Sequence, residues 1–147
     1  MKELILSKGC VTIVDDEDFE EVSKYKWYTH KDGYACRNDS GKTILLHRFL
    51  MKADKESLVD HKNHDKLDNR KANLRLCSKA QNLYNSITRN PSEFKGVSKH
   101  RRKWRAAKTF QGKRIHIGLY FTAESAAKAY DTKAKELFGD FAYLNFP

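Results

Sequence analysis

Val59-Asp60-His61-Lys62-Asn63 sets a carboxylate beside an imidazole, and Asn73 and Asn82 follow at short intervals. A carboxylate and an amide oxygen suit a hard divalent cation. A neutral imidazole takes a proton from water near pH 7, where few other side chains can. Together these groups supply the parts of a one-metal hydrolytic site. Taken singly they say little: an Asp-His pair in a loop is ordinary surface chemistry, and Asn69 and Asn73 are ordinary turn residues. The joint spacing carries the reading.

Charge outside that stretch is uneven. The 147-residue chain has a formal net charge of +10. Counting Lys and Arg against Asp and Glu, residues 1–60 stand at −2, 61–93 at +4 and 94–147 at +8. Such a gradient predicts an extended anionic partner along the second half. Aromatic residues make up 12% of the chain, which excludes a disordered polyelectrolyte. No apolar run nears the ~20 residues of a membrane span, and Met1-Lys2-Glu3-Leu4 lacks a secretory core, so the expectation is a soluble, cytoplasmic protein. Cys10, Cys36 and Cys77 form no C-x-x-C pair and are expected as small buried hydrophobes in a reducing compartment.

Upstream of the Asp-His pair the pattern is of short strands and turns. Leu4-Ile5-Leu6 and Val11-Thr12-Ile13-Val14 flank Ser7-Lys8-Gly9 as a hairpin. Asp15 to Tyr25 predicts a short helix opened by Asp15 or Asp16. Lys26–His30 and Tyr34–Arg37 flank the turn Lys31-Asp32-Gly33, and Thr43 to Arg48 reads as a further strand. This region reads as scaffold without chemistry of its own. Downstream, Ser78-Lys79-Ala80-Gln81 matches a capping box for a helix through Asn82, Tyr84 and Ile87, and Asn90-Pro91-Ser92 marks a linker. Three strand-like runs follow, Phe94–Lys99, Lys103–Phe110 and Arg114–Phe121. Thr122 then caps a helix from Ala123 to Phe138 that Gly139 ends, with Ala126, Ala127, Tyr130, Ala134 and Leu137 as its apolar stripe.

Leu46-His47-Arg48, Val59-Asp60-His61-Lys62-Asn63, Leu67-Asp68-Asn69-Arg70, Ala72-Asn73-Leu74-Arg75 and Gln81-Asn82 resemble the HNH endonucleases, particularly the phage homing type. The resemblance implies a ββα-metal module. It implies Asp60 and Asn82 as metal ligands, His61 as general base, and Asn73 as the brace of the loop that orients His61. It often has a second histidine where this chain has Asn82. Oxygen-only ligands favour Mg²⁺ or Mn²⁺ over zinc. His47 joins the catalytic candidates, either contacting the phosphate or supporting the fold.

Phe94-Lys95-Gly96-Val97, Lys103-Trp104-Arg105-Ala106, Ile115-His116-Ile117-Gly118, Ala126–Asp131 and Leu144–Pro147 resemble the AP2 DNA-binding domain, in which a three-stranded antiparallel sheet backed by a helix enters the major groove. Strand alternation turns Arg105, Thr109, Arg114 and His116 outward and leaves Lys108 on the inner side. Lys95, His100, Arg101 and Arg102 add charge near the first two strands. Arginine reads guanine bidentately, and lysine grips phosphate. Ser98 and His116 depart from the family's frequent Arg and Trp, so no base preference transfers.

The expectation is an α+β protein of two modules, an HNH nuclease at 1–90 and an AP2-like reader at 94–147. It would be a homing-type endonuclease on double-stranded DNA, acting as a monomer that nicks or a homodimer that cuts both strands. A DNA-binding regulator with an inactive nuclease fold and an RNA-binding basic protein are the alternatives.

Overall fold

In the computed structural model, which describes residues 1–85 and 93–147, the chain is α+β, a series of small antiparallel sheets with short helices. β1 (Lys2–Ile5) and β2 (Val11–Val14) form the first hairpin, turned through Lys8 and Gly9 at positive φ. Leu4, Thr12 and Val14 face the interior while Ile5 and Val11 stay exposed, the two-residue alternation of a half-buried sheet.

α1 (Asp16–Val22) is shorter than the expected helix. Asp15 occupies its N-cap position without capping it, because the carboxylate instead accepts the Lys71 N–H at 2.7 Å. β3 (Tyr28–Thr29), β4 (Ala35–Asp39) and β5 (Lys42–Leu45) make a three-stranded sheet, with Gly33 at φ 86° in the predicted turn. The strand expected over Thr43–Arg48 does not persist. β5 stops at Leu45 and the chain enters α2 (Leu46–Leu50), which puts His47 on a helix. Leu46, Phe49 and Leu50 all pack into the core, and helical i, i+3, i+4 spacing sets them on one face.

β6 (Leu58–His61) and β7 (Leu74–Cys77) pair antiparallel, with Asp60 opposite Arg75 and His61 opposite Leu74. α3 (Lys79–Asn85) follows. The expected continuation to Ile87 and the break at Asn90-Pro91-Ser92 lie outside the described residues.

β8 (Val97–His100), β9 (Lys103–Phe110) and β10 (Lys113–Tyr120) form the second three-stranded sheet, and α4 (Ala123–Phe138) has the predicted limits. Thr122 caps α4 by accepting the Ser125 N–H at 3.1 Å. Residues 94–96 are not part of β8. Gly96 sits at φ 76° against Tyr130, and a Cβ there would lie 2.0 Å from that ring, so only glycine lets the chain pass so close. A β-bulge between His116 and Gly118, not foreseen in the sequence, shifts the register of β10.

Two compact units result, residues 1–79 and 80–147. Leu6, Val14, Val22, Trp27 and Leu46 centre the first core. Val97, Ala106, Ala126, Ala127 and Tyr130 centre the second, as the stripe on α4 predicts. The expected division fell at 90. Instead Ala80–Asn85, and Asn82 with them, group with the second unit, where Tyr84 stacks on Phe138 at 4.1 Å. Cys36 and Cys77 are buried as expected, whereas Cys10 is exposed; all three are free thiols. Among the described residues no helix is long and apolar enough to cross a membrane.

Candidate active site

Asp60 and His61 end β6, and β7 returns from Leu74, so the loop 62–73 must close on itself. Asn73 closes it. Its Oδ1 accepts the Asn63 N–H at 3.0 Å, its Nδ2 donates to the Asp68 carbonyl at 2.8 Å, and its carbonyl accepts the Lys62 N–H at 2.9 Å. One buried amide thus spans both arms of the loop directly after His61. Asp68 adds a second clasp. Its carboxylate accepts Nε (2.7 Å) and Nη2 (2.6 Å) of Arg70 and Nδ2 of Asn63 (2.9 Å), and the hydrogen bonds from Arg70 hold its pKa below the ordinary carboxylate value.

His61 is 5% exposed. Burial lowers its pKa, against opposing pulls from Asn69 and Asp60, so the imidazole is neutral at pH 7. Its Nε2 lies 3.4 Å from Asn69 Oδ1. The His47 ring stands edge-on at 5.1 Å and the Tyr34 ring tilts at 5.9 Å. Burial first, then the neighbouring His61 and Arg48, pushes the His47 pKa down to about 3. Two neutral imidazoles therefore sit ring to ring, and His47 Nδ1 is buried with no hydrogen-bond partner among the described residues. Asp60, also buried, takes both Nε (2.9 Å) and Nη2 (2.6 Å) of Arg75 on the single oxygen Oδ2. That grip sets the orientation of the carboxylate.

The structure brings Asp60, His61, Asn73 and His47 together within the first unit. Asn82 is exposed on α3 in the second. Among the described residues no three His, Cys, Asp or Glu side chains group as a ready metal cage. The polar groups here are carboxylate and amide oxygens with neutral imidazoles. That chemistry fits a hard cation that draws most of its shell from water and phosphate.

The N-terminal region is more than scaffold, contrary to expectation. Tyr34 on the β3–β4 side packs against both histidines, at 5.0 Å from His47 and 5.9 Å from His61. Lys66 fastens this hairpin to the loop by donating to the Asp32 carbonyl at 2.7 Å and lying over the Tyr34 ring at 4.6 Å. β2 runs beside the loop as well: Ile13 N–H donates to the Leu67 carbonyl (2.9 Å) and Asn69 N–H to the Ile13 carbonyl (2.8 Å). No local spacing signals these contacts, since they join residues far apart in the chain.

On the second unit, cross-strand pairs define one face. His100 opposes Lys103, Arg105 opposes Ser98 and Leu119, Ala107 opposes His116, and Thr109 opposes Arg114. His100, Arg101, Arg102, Thr109, Arg114 and His116 are exposed, and Arg105 is half-buried with Nη2 3.3 Å from Ser98 Oγ. Lys103 and Leu119 share this face and were not anticipated; the bulge brings Leu119 round to it. Lys95, expected among the outward cations, is instead 5% exposed. Its ammonium donates to the Tyr84 carbonyl at 2.8 Å and lies 5.0 Å from the Tyr143 ring, and burial lowers its pKa to about 8. The turn at Gly96 draws the residue before it inward. Lys108 does lie on the inner side as read, its ammonium 5.0 Å from the Phe138 ring.

The first unit thus holds a buried acid–imidazole hairpin with a braced loop, and the second is a basic sheet-and-helix unit. The HNH endonuclease family profile matches residues 52–84. An HNH endonuclease of Acanthamoeba polyphaga mimivirus is 39% identical over 145 residues, 94% of this chain and 76% of that protein. The chain belongs to the HNH endonuclease family. Its C-terminal part is similar to plant transcription factors. An AP2-like ethylene-responsive transcription factor of Arabidopsis thaliana is 29% identical over 110 residues (63% of this chain, 36% of that protein). Dehydration-responsive element-binding protein 2A of the same plant is 49% identical over 37 residues (25% and 11%).

Proposed function

We propose that this protein is a sequence-directed DNA endonuclease of the homing type, in which the first unit hydrolyses a phosphodiester and the AP2-like unit chooses where. The observation that carries the reading is His61, buried beside the carboxylate of Asp60, where burial lowers its pKa and favours the uncharged imidazole. A water attacking phosphorus must lose a proton, and His61 is the group that receives it. The new P–O bond forms as the bond to the 3′ oxygen breaks, leaving a 5′-phosphate and, once protonated, a 3′-hydroxyl. Asp60 would be the ligand that the first unit offers to Mg²⁺ or Mn²⁺, with Asn82 the second ligand that the family resemblance implies; the cation would supply positive charge to offset that building on the phosphate. Asn73 acts through the loop it braces, and Arg75 holds the Asp60 carboxylate in one orientation. His47 and Tyr34 keep water from one side of the His61 ring.

His100, Arg101, Arg102, Arg105, Thr109, Arg114 and His116 form the DNA-facing set, arginines reading bases and the rest positioning the duplex. A monomer brings one such site to one strand and nicks; a homodimer cuts both. The test is plasmid nicking with Mg²⁺ by the parent and by His61→Ala. Equal rates, or no Mg²⁺-dependent nicking by the parent, would sink the reading. Tight, salt-dependent binding without cutting would leave a DNA-binding regulator in its place.

A further inference from the structure

We infer that Thr12, on the N-terminal hairpin, and Asn69 are positioning residues that fix the tautomer of His61, so that Nε2 carries the proton and Nδ1 is the basic atom. The inference rests on the nuclease reading only for its kinetic part. The rest follows from donors and acceptors.

A hydroxyl has one proton to give. Thr12 Oγ1 gives it to the Leu67 carbonyl, at 2.6 Å. The same oxygen lies 2.8 Å from Asn69 Nδ2 and, having no further proton, can only accept there. Asn69 must therefore turn its NH₂ toward Thr12. The Lys66 carbonyl, 3.4 Å from the same Nδ2, accepts only and demands the same orientation. With the amide so turned, Oδ1 faces His61, 3.4 Å from Nε2. An amide oxygen gives no proton, so Nε2 must bear one, and a neutral imidazole then has its lone pair on Nδ1.

The relay is buried and held from two sides. Thr12, Asn69 and His61 are 0%, 1% and 5% exposed. The Leu67 carbonyl also accepts the Ile13 N–H at 2.9 Å, and Asn69 N–H donates to the Ile13 carbonyl at 2.8 Å, which pins both ends of the relay to β2. A hairpin some fifty residues upstream thus dictates which nitrogen can act as base.

The experiment is long-range ¹H–¹⁵N correlation of the imidazoles in the full ¹⁵N-labelled chain at neutral pH without DNA, paired with single-turnover cleavage. The parent is expected to show a pyrrole-type Nε2 and a pyridine-type Nδ1 at His61. Thr12→Val keeps the shape but removes the hydroxyl and frees the Asn69 amide to turn. It should mix or reverse the tautomers and lower the cleavage rate at saturating DNA at least about tenfold, within the ~10²–10⁴-fold that a positioned base supplies. The half-saturating DNA concentration should stay within about twofold, because Thr12 is fully buried and cannot itself touch DNA. Thr12→Ser restores the hydroxyl and should recover both the spectrum and most of the rate. A protonated Nδ1 in the parent overturns the inference, as does Thr12→Val with the parental tautomer and rate, or with a reversed tautomer and no loss of rate. If Thr12→Val does not fold, the parent spectrum and Thr12→Ser still decide. A parent that shows the expected tautomer yet cuts no DNA refutes the nuclease reading and leaves the relay standing.

Discussion

β6–β7 and β8–β9–β10 are both antiparallel sheets of short strands, yet they treat polar side chains in opposite ways. The first, with the loop 62–73 that joins its strands, buries them. Asp60, His61, Asp68, Asn69 and Asn73 are each less than 9% exposed, and each meets a specific hydrogen-bonding partner. The second sets His100, Lys103, Thr109, Arg114 and His116 in water on one open face. Burial shifts pKa values and fixes tautomers, which proton transfer needs. Exposure keeps cations charged and ready to displace counterions from a phosphate backbone. On the proposed reading, chemistry and recognition separate by solvent access as well as by position in the chain.

The sharpest way to break this contrast is His61→Ala. The cleavage rate should fall by about 10²–10⁴-fold while DNA affinity, measured by fluorescence anisotropy, holds. A loss of affinity of the same size would show that the two functions are not separate. Next in size, Arg105→Ala with Arg114→Ala should weaken binding about ten- to a hundredfold and flatten the slope of log affinity against log salt by about 2, with the rate at saturating DNA preserved. An unchanged salt slope would remove the open face from the interface.

Much of the contrast was legible beforehand and part of it was not. The limits of β9 and α4 could be read directly, because Gln111-Gly112 demands positive φ, Thr122 caps, and Ala126, Ala127, Tyr130 and Ala134 keep helical period. Asp60, His61 and Asn73 could be read because the motif is local. Tyr34, Thr12 and Arg75 were missed as participants in the site, since their contacts depend on which hairpin lies beside which, and that is a tertiary fact. Lys95 was misplaced for a related reason: charge and position near a strand predict exposure, but the Gly96 turn against Tyr130 overrides them. The α2 helix was read as strand because Ile44-Leu45-Leu46 is a short apolar run that fits either period.

A smaller effect sharpens the buried half. His47 gains its proton only near pH 3 when folded, against 6.5 for an unperturbed histidine. Between those values the unfolded chain binds a proton that the folded chain does not, so this contribution to stability is intact above about pH 6.5 and is lost as pH falls. Urea unfolding of the first unit should show a loss of about 2 kcal/mol from this group between pH 7 and 5, at ~1.4 kcal/mol per unit. His47→Gln should flatten the profile, and an unaltered slope would mean that other groups carry it. Smallest of all, Thr122→Ala removes the cap of α4 and should cost the second unit about 1 kcal/mol while leaving the pH profile of cleavage as it was. A shift in that profile would couple the two sheets.

The most direct test gives a random-sequence duplex library to the parent, to His61→Ala and to Arg105→Ala/Arg114→Ala with Mg²⁺, and maps the cut ends by sequencing. The parent should leave ends at a defined sequence, His61→Ala almost none, and the double variant ends that are fewer and scattered. Ends at the parental sites and frequency from His61→Ala, or undiminished selectivity from the double variant, would contradict the division of labour between the buried hairpin and the open sheet.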